Sequence, residues 1–228
     1  DLFLRNGAYH DAVPDSDIEL LDVLDAVGAM TGEQKSRVDV HRDGDWHRTV
    51  HVWVVRSDGA VLLQRRASSK ELEPGRLDVS VGGHLMAGEL DIDMVREVEE
   101  ELGLVLRFGS FAYLGRAVTD RAYGSYLDKE FQDVYAVVDD TPLSELSLPA
   151  AEVDVIYEVP IARAIELFRD GRYVPAAGYD SQRRVNNALL VAEDLPEQGS
   201  ALLAAELDRV QAWLAGESAE ALALRPFL

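Results

Sequence analysis

Residues 82–104, GGHLMAGELDIDMVREVEEELGL, decide how the rest of the chain is read. The glycine pair Gly82-Gly83 closes a short apolar segment and opens a loop. From about Ile92 to Leu102 the residues are helix formers with no proline or glycine among them, and Gly103 is a C-terminal stop. At about 100° per residue, Glu97, Glu100 and Glu101 share one face of that helix while Glu99 points away. Two carboxylates about 5 Å apart repel by roughly 3 kcal/mol at an effective dielectric near 20, so such a face is either fully solvated or holds a cation. Carboxylate oxygens are the ligands of Mg²⁺ and Mn²⁺, and spacing alone leaves both readings open.

Working outward, the flanking segments alternate between strand and helix patterns. The stretch IELLDVLDAVGAMTG, from Ile18, reads as a strand, a turn around Gly28 and a second element. RTVHVWVVRSDGAVLLQRRA reads as a hairpin, with alternation at Val50, Val52 and Val54 and a turn at Ser57-Asp58-Gly59. Pro74-Gly75 marks a loop before the strand that ends at the glycine pair. FGSFAYLGRAV, KEFQDVYAVV and EVDVIYEVP are three further strands, and Ile161 to Phe168 a second helix. An α/β (α+β) layered domain is expected over 17–184, after a loose tail over 1–16. Residues 185–228 form a helical extension: Leu203, Leu207, Val210 and Leu214 make one stripe, Ser200 the N-cap and Gly216 the stop. That stripe packs on the domain or serves a homodimer.

Composition narrows the function. With 228 residues and 47% hydrophobic content the chain can bury a sizeable core. The formal net charge of −20 argues against a nucleic-acid polymer as partner, because phosphate backbones are bound through clustered Lys and Arg. No apolar run approaches the roughly 20 residues of a membrane span, and no export signal is visible, so the cytoplasm is the expected location. The chain has no cysteine, which excludes disulfides, thiolate metal sites and cysteine nucleophiles.

The segment GGHLMAGE followed by REVEEELGL resembles the signature box of the Nudix hydrolases, matching its terminal half at every position from Arg96 to Leu104. One departure stands out: the family has seven residues between the loop glutamate and the arginine, and six lie between Glu89 and Arg96 here. The resemblance implies a mixed β-sheet sandwiched between helices and a Mg²⁺- or Mn²⁺-dependent hydrolase of a small-molecule diphosphate. Glu97, Glu100 and Glu101 would be metal ligands, and Arg96 would orient the loop through Glu89. Asp93 stands where the family usually has a small apolar residue.

The stretch from about Leu20 to Pro175 also resembles the type 1 isopentenyl diphosphate isomerases and, more closely, the hydrolases grouped beside them. LDAVGAMTG, VDVHRDGDWH, LLQRRASSKELEPG and the GGH turn carry that likeness. It implies a metal site at His41, His47, His84, Asp128 and Glu130, and a diphosphate grip by Arg37, Arg66 and Lys70, whose donors suit phosphate oxygens. The isomerase reaction needs a cysteine where this chain has Gly82, whereas the hydrolase box is complete. The expectation is a hydrolase with an isomerase-like pocket, with Glu130 or a helix carboxylate such as Glu100 or Glu101 as general base. A cysteine-free isomerase and a non-catalytic diphosphate-binding module are the alternatives.

Overall fold

The structure is a computed structural model that describes residues 19–227. The tail expected over 1–16 and the strand start at Ile18 lie outside the described residues. The described residues begin with β1 (Leu20–Leu24) and β2 (Met30–Ser36), an antiparallel pair turning at Gly28, whose φ is +84°. Helix α1 (Arg37–Asp43) follows, capped by Ser36, whose hydroxyl accepts from Asp39 N. Then come β3 (Trp46–Val55), β4 (Ala60–Arg66), β5 (Leu77–Asp78) and β6 (Val81–His84). Helix α2 (Val95–Leu102) leads into β7 (Ala112–Tyr123), β8 (Tyr126–Val138) and β9 (Val153–Pro160). Helix α3 (Ile161–Asp170), β10 (Val174–Asp180), β11 (Ala188–Leu190), α4 (Ser200–Leu214) and α5 (Ala219–Ala223) complete the order.

The hairpin expected over 48–67 exists only at its turn. Arg56 N donates to Ala60 O at 2.8 Å and Gly59 adopts φ +88°, but only Val55 and Val61 face each other beyond it. The strands then part. β3 runs parallel to β8 over Trp46–Val55 and antiparallel to β6, while β4 pairs with β9, and β9 with β10. The mixed sheet is therefore splayed, and both faces of β3 are buried. Val50, Val52 and Val54 pack with Met94, Val98 and Leu102 beside α2. Trp53 and Val55 pack on the other side with Leu167 and Phe168 of α3 and Leu203, Leu207 and Val210 of α4. At about 25 cal/mol per Å² of apolar surface, these two cores supply the main force that holds α2 and α4 to opposite faces.

Two local expectations are corrected, and a third, which offered two alternatives, takes the first of them. The helix expected from Ile92 is a tight 3-10 turn over Asp91–Met94 followed by α2, because the Asp93 carboxylate accepts from Leu90 N at 2.8 Å and closes the turn. The cap of α4 is Gly199, at φ +98°, rather than Ser200, whose hydroxyl turns back to Pro196 O. The leucine stripe of α4 is spent within the chain: Leu203, Leu207 and Val210 are buried against α3 and the sheet, and only Leu214 is partly exposed. Among the described residues no helix is long and apolar enough to cross a membrane.

Candidate active site

Side chains two apart on a strand share a face, and the parallel register sets His47 of β3 beside Glu130 of β8, and Thr49 beside Gln132. Thr49 also pairs with His84 of β6. His41 comes in from α1, its ring stacked on Tyr126 at 4.3 Å. The three histidines expected from sequence therefore converge, with ring centroids 4.7 to 5.4 Å apart, and donor atoms of His47, Asp128 and Glu130 lie within 4.8 Å of one another.

The hydrogen bonds of these rings decide what they offer. His41 Nδ1 donates to Arg37 O at 2.7 Å and His47 Nδ1 to Asp45 O at 3.1 Å, since a carbonyl can only accept. His84 Nδ1 lies 3.4 Å from Glu19 Oε1. The three Nε2 atoms are buried and have no hydrogen-bond partner among the described residues, although His41 Nε2 is 3.4 Å from Asp128 Oδ1. Burial lowers the His47 pKa to about 4, and burial with the nearby Arg37 charge lowers that of His84 well below the usual value. A neutral imidazole with a tethered Nδ1 and a free Nε2 lone pair, as at His47, is the ligand form of histidine, and unpartnered buried polar atoms are costly. This donor set, with Asp128 and Glu130, fits a divalent cation.

The acidic helix forms the adjoining wall. Glu97 and Glu101 are buried and turned into the cavity, whereas Glu100 is exposed at its edge, 3.0 Å from Arg96 Nη1. Burial raises Glu97 to about 7; burial followed by the Glu97 charge raises Glu101 to about 8. Glu97 reaches its place across Gly83, where a Cβ would collide with the Glu97 carboxyl carbon. Arg96 binds Glu89 through Nε and Nη2, both at 2.9 Å, and Glu89 also accepts from Met86 N at 2.7 Å. A 3-10 turn falls within the short spacing between Glu89 and Arg96, and its four residues at about 2.0 Å rise span roughly 8 Å, a length for which an α-helix needs about five.

The cavity between these walls has a volume of about 310 Å³. Arg37, Arg66 and Lys70 line it as expected, each paired with an acid: Arg37 with Glu19 at 3.1 Å, Arg66 with Asp78 at 2.9 Å, and Lys70 with Glu152. Other lining residues went unread in the sequence. Arg121 faces the cavity because β7 sets it opposite Asp128, a placement that the β7–β8 hairpin register could have supplied. Gln64 donates to Glu101 Oε2 at 3.3 Å, and Pro196, Gln198, Gly199 and Leu203 close one side. His51 and Gln132 also line it.

Comparison with known proteins gives a consistent result. Residues 45–177 match the NUDIX domain. The chain is 39% identical to Nudix hydrolase 3 of Arabidopsis thaliana over 167 residues, which cover 69% of this chain but only 21% of the plant protein. It is 33% identical to an uncharacterised Nudix hydrolase of Clostridium acetobutylicum, covering 63% and 70% of the two chains. An isopentenyl-diphosphate Delta-isomerase of Serratia proteamaculans is 31% identical over 51% of this chain and 64% of its own. In fold, the chain resembles a crystal structure from Deinococcus radiodurans with a TM-score of 0.52 at 23% identity, covering 68% and 91%.

Proposed function

The chain belongs to the Nudix hydrolase family, whose members act on pyrophosphate bonds, and from that premise we propose that it is a Mg²⁺- or Mn²⁺-dependent hydrolase of a small-molecule diphosphate. The observation that carries this reading is the set of three unpartnered Nε2 atoms beside Asp128 and Glu130, of which His41, His84 and the two acids line one cavity with Glu97 and Glu101. His41, His47, His84, Asp128 and Glu130 would hold one cation; Glu97, Glu100 and Glu101 would take part in holding another. A divalent cation bound here polarises the diphosphate and lowers the pKa of water.

The chain's own groups do the rest. Arg37, Arg66 and Lys70 exchange their acidic partners for phosphate oxygens, with guanidinium forks and an ammonium suited to them. Arg96 keeps Glu89 and the loop behind Gly83 in place. Glu101 and Glu130, the latter raised to about 7 by burial and the Asp128 charge, have the poise to accept a proton from an attacking water near neutral pH. We assign the catalytic domain to 17–184, with 185–228 extending it, and place the protein in the cytoplasm.

Hydrolysis of a panel of diphosphate metabolites with Mg²⁺ or Mn²⁺, read as release of phosphate or of phosphomonoester products, tests the assignment. Turnover of one class that is lost in both Glu100→Gln and Glu101→Gln supports it. Silence across the panel, or full activity in both variants, overturns it.

A further inference from the structure

Glu206 lies on α4, beyond the matched span of 45–177, and its carboxylate is fully buried. Oε2 accepts from Trp53 Nε1 at 2.8 Å, and Oε1 faces His51 Nδ1 at 3.0 Å. The indole can only donate and the carboxylate can only accept, so the His51 proton is held on Nδ1. Across the ring, Nε2 lies 3.1 Å from Gln132 Nε2, and that amide nitrogen lies 2.7 Å from Glu130 Oε2. A contact of that length to a carboxylate oxygen calls for an N–H. An amide has two to give, one for Glu130 and one for the lone pair of a neutral His51.

The charge on the ring bears on the same amide. Burial opposes a charged His51 and Glu206 favours it, raising its pKa to about 9, while the Gln132 N–H held between Nε2 and Glu130 opposes the charge, because a proton on Nε2 would face it. A charged ring would need Gln132 Oε1, which is buried without a partner among the described residues, and turning the amide would release Glu130. In either state Nδ1–H stays on Glu206, and the orientation of Gln132 follows from what Nε2 presents. The geometry as it stands, with the amide nitrogen on Glu130, is that of the neutral ring.

We propose that Glu206 is a positioning residue for Glu130, acting through His51 and Gln132, so that α4 is a working part of the site. The proposal rests on the assignment of Glu130 to the cation cluster. Glu206→Gln would keep its amide oxygen on Trp53 and turn its NH₂ toward His51. The ring proton then moves to Nε2, Gln132 must present its oxygen, and the hydrogen bond to Glu130 is lost.

The test is calorimetric titration of the full chain with Mn²⁺ alone, together with ¹⁵N–¹H spectra of the histidine rings in the metal-free protein. Glu206→Gln and Gln132→Met should each weaken the Mn²⁺ site that Glu130→Gln abolishes, by roughly 10-fold. The double variant should be no weaker than the weaker-binding single one, because both act along one route. Trp53→Phe, which removes the other donor to Glu206, should leave affinity near wild type, and the His51 spectrum should report a changed tautomer only in Glu206→Gln. Additive losses, an equal loss in Trp53→Phe, or an unchanged His51 tautomer in Glu206→Gln overturns the proposal. If Glu206→Gln fails to fold, His51→Gln and Gln132→Met form the same cycle. A wild-type protein that loses no Mn²⁺ site on Glu130→Gln overturns the cluster assignment itself, and this proposal with it.

Discussion

Glu97 occupies the space that a side chain on Gly83 would fill, so a helix carboxylate and a strand backbone meet without a Cβ between them. Gly83→Ala should therefore push Glu97 out of the cavity while leaving the sheet register intact. The expected outcome is near-native circular dichroism with turnover reduced by about 100-fold or more, comparable to losing a catalytic group. Native-like turnover in Gly83→Ala would remove Glu97 from the site.

The grip of Arg96 on Glu89 gives a second prediction. Lysine keeps the charge of Arg96 but cannot make the paired Nε and Nη2 contacts. Arg96→Lys should cost roughly 1.5 to 3 kcal/mol of local stability in the loop, the range for hydrogen bonds to charged groups. Hydrogen exchange of the 84–90 amides should accelerate by one to two orders of magnitude, about 1.4 kcal/mol per tenfold. Unchanged exchange would show that the loop is fixed by other contacts.

The buried carboxylates of α2 give a pH dependence with a definite sign. Glu97 and Glu101 are raised from 4.5 to about 7 and about 8, chiefly by burial, so the folded metal-free protein holds their protons more tightly than the unfolded chain. Their stabilising contribution is complete below pH 4.5 and is lost as pH rises through 7 to 8. Thermal denaturation of the metal-free protein should show Tm falling from about pH 6.5 to 8, above the range in which the buried neutral His47 and His84 add stability as pH rises. Added Mn²⁺, which binds the ionised forms, should raise Tm more at the alkaline end. A Tm that climbs from about pH 6.5 to about pH 8 without metal would contradict this arrangement.

Arg209 supplies a prediction about the extension. Its guanidinium donates to Leu114 O at 2.7 Å, Leu222 O at 3.0 Å and Arg225 O at 2.8 Å, and stacks on Phe227. It ties α4 to β7 and to the last turns of the chain. Arg209→Met should lower unfolding free energy by roughly 3 to 5 kcal/mol, since three carbonyls lose a buried donor. Urea denaturation reads it directly, and a change below about 1 kcal/mol would mean that water replaces the guanidinium.

The sequence made some of this site legible because the relevant physics is local. The end of α2 at Gly103, at φ +70°, the turn at Gly59, and the strands β7, β8 and β9 all follow from patterns within a dozen residues. The histidines and Glu130 were legible through resemblance to a family motif, and the structure brings them together. The partners of β3 and β4 were not legible, because their pairing with β8 and β9 depends on contacts some eighty to one hundred residues away. Glu206 was hidden for a different reason. It sits three residues after Leu203 on what reads as a packing stripe, and nothing short of the β3 register shows that His51 and Trp53 wait beneath it.

The parallel pairing of β3 with β8 carries a consequence for how the protein is made. His47 and Glu130 become neighbours only after a loop of about eighty residues closes, and His41 and His84 join from two further elements. Closing so long a loop costs entropy before any contact repays it, so this pairing is expected to form late in folding. A nascent or partly refolded chain therefore carries its histidines and acids as scattered, separate groups. Cation uptake by the assembled cluster would then mark the end of folding rather than guide its beginning.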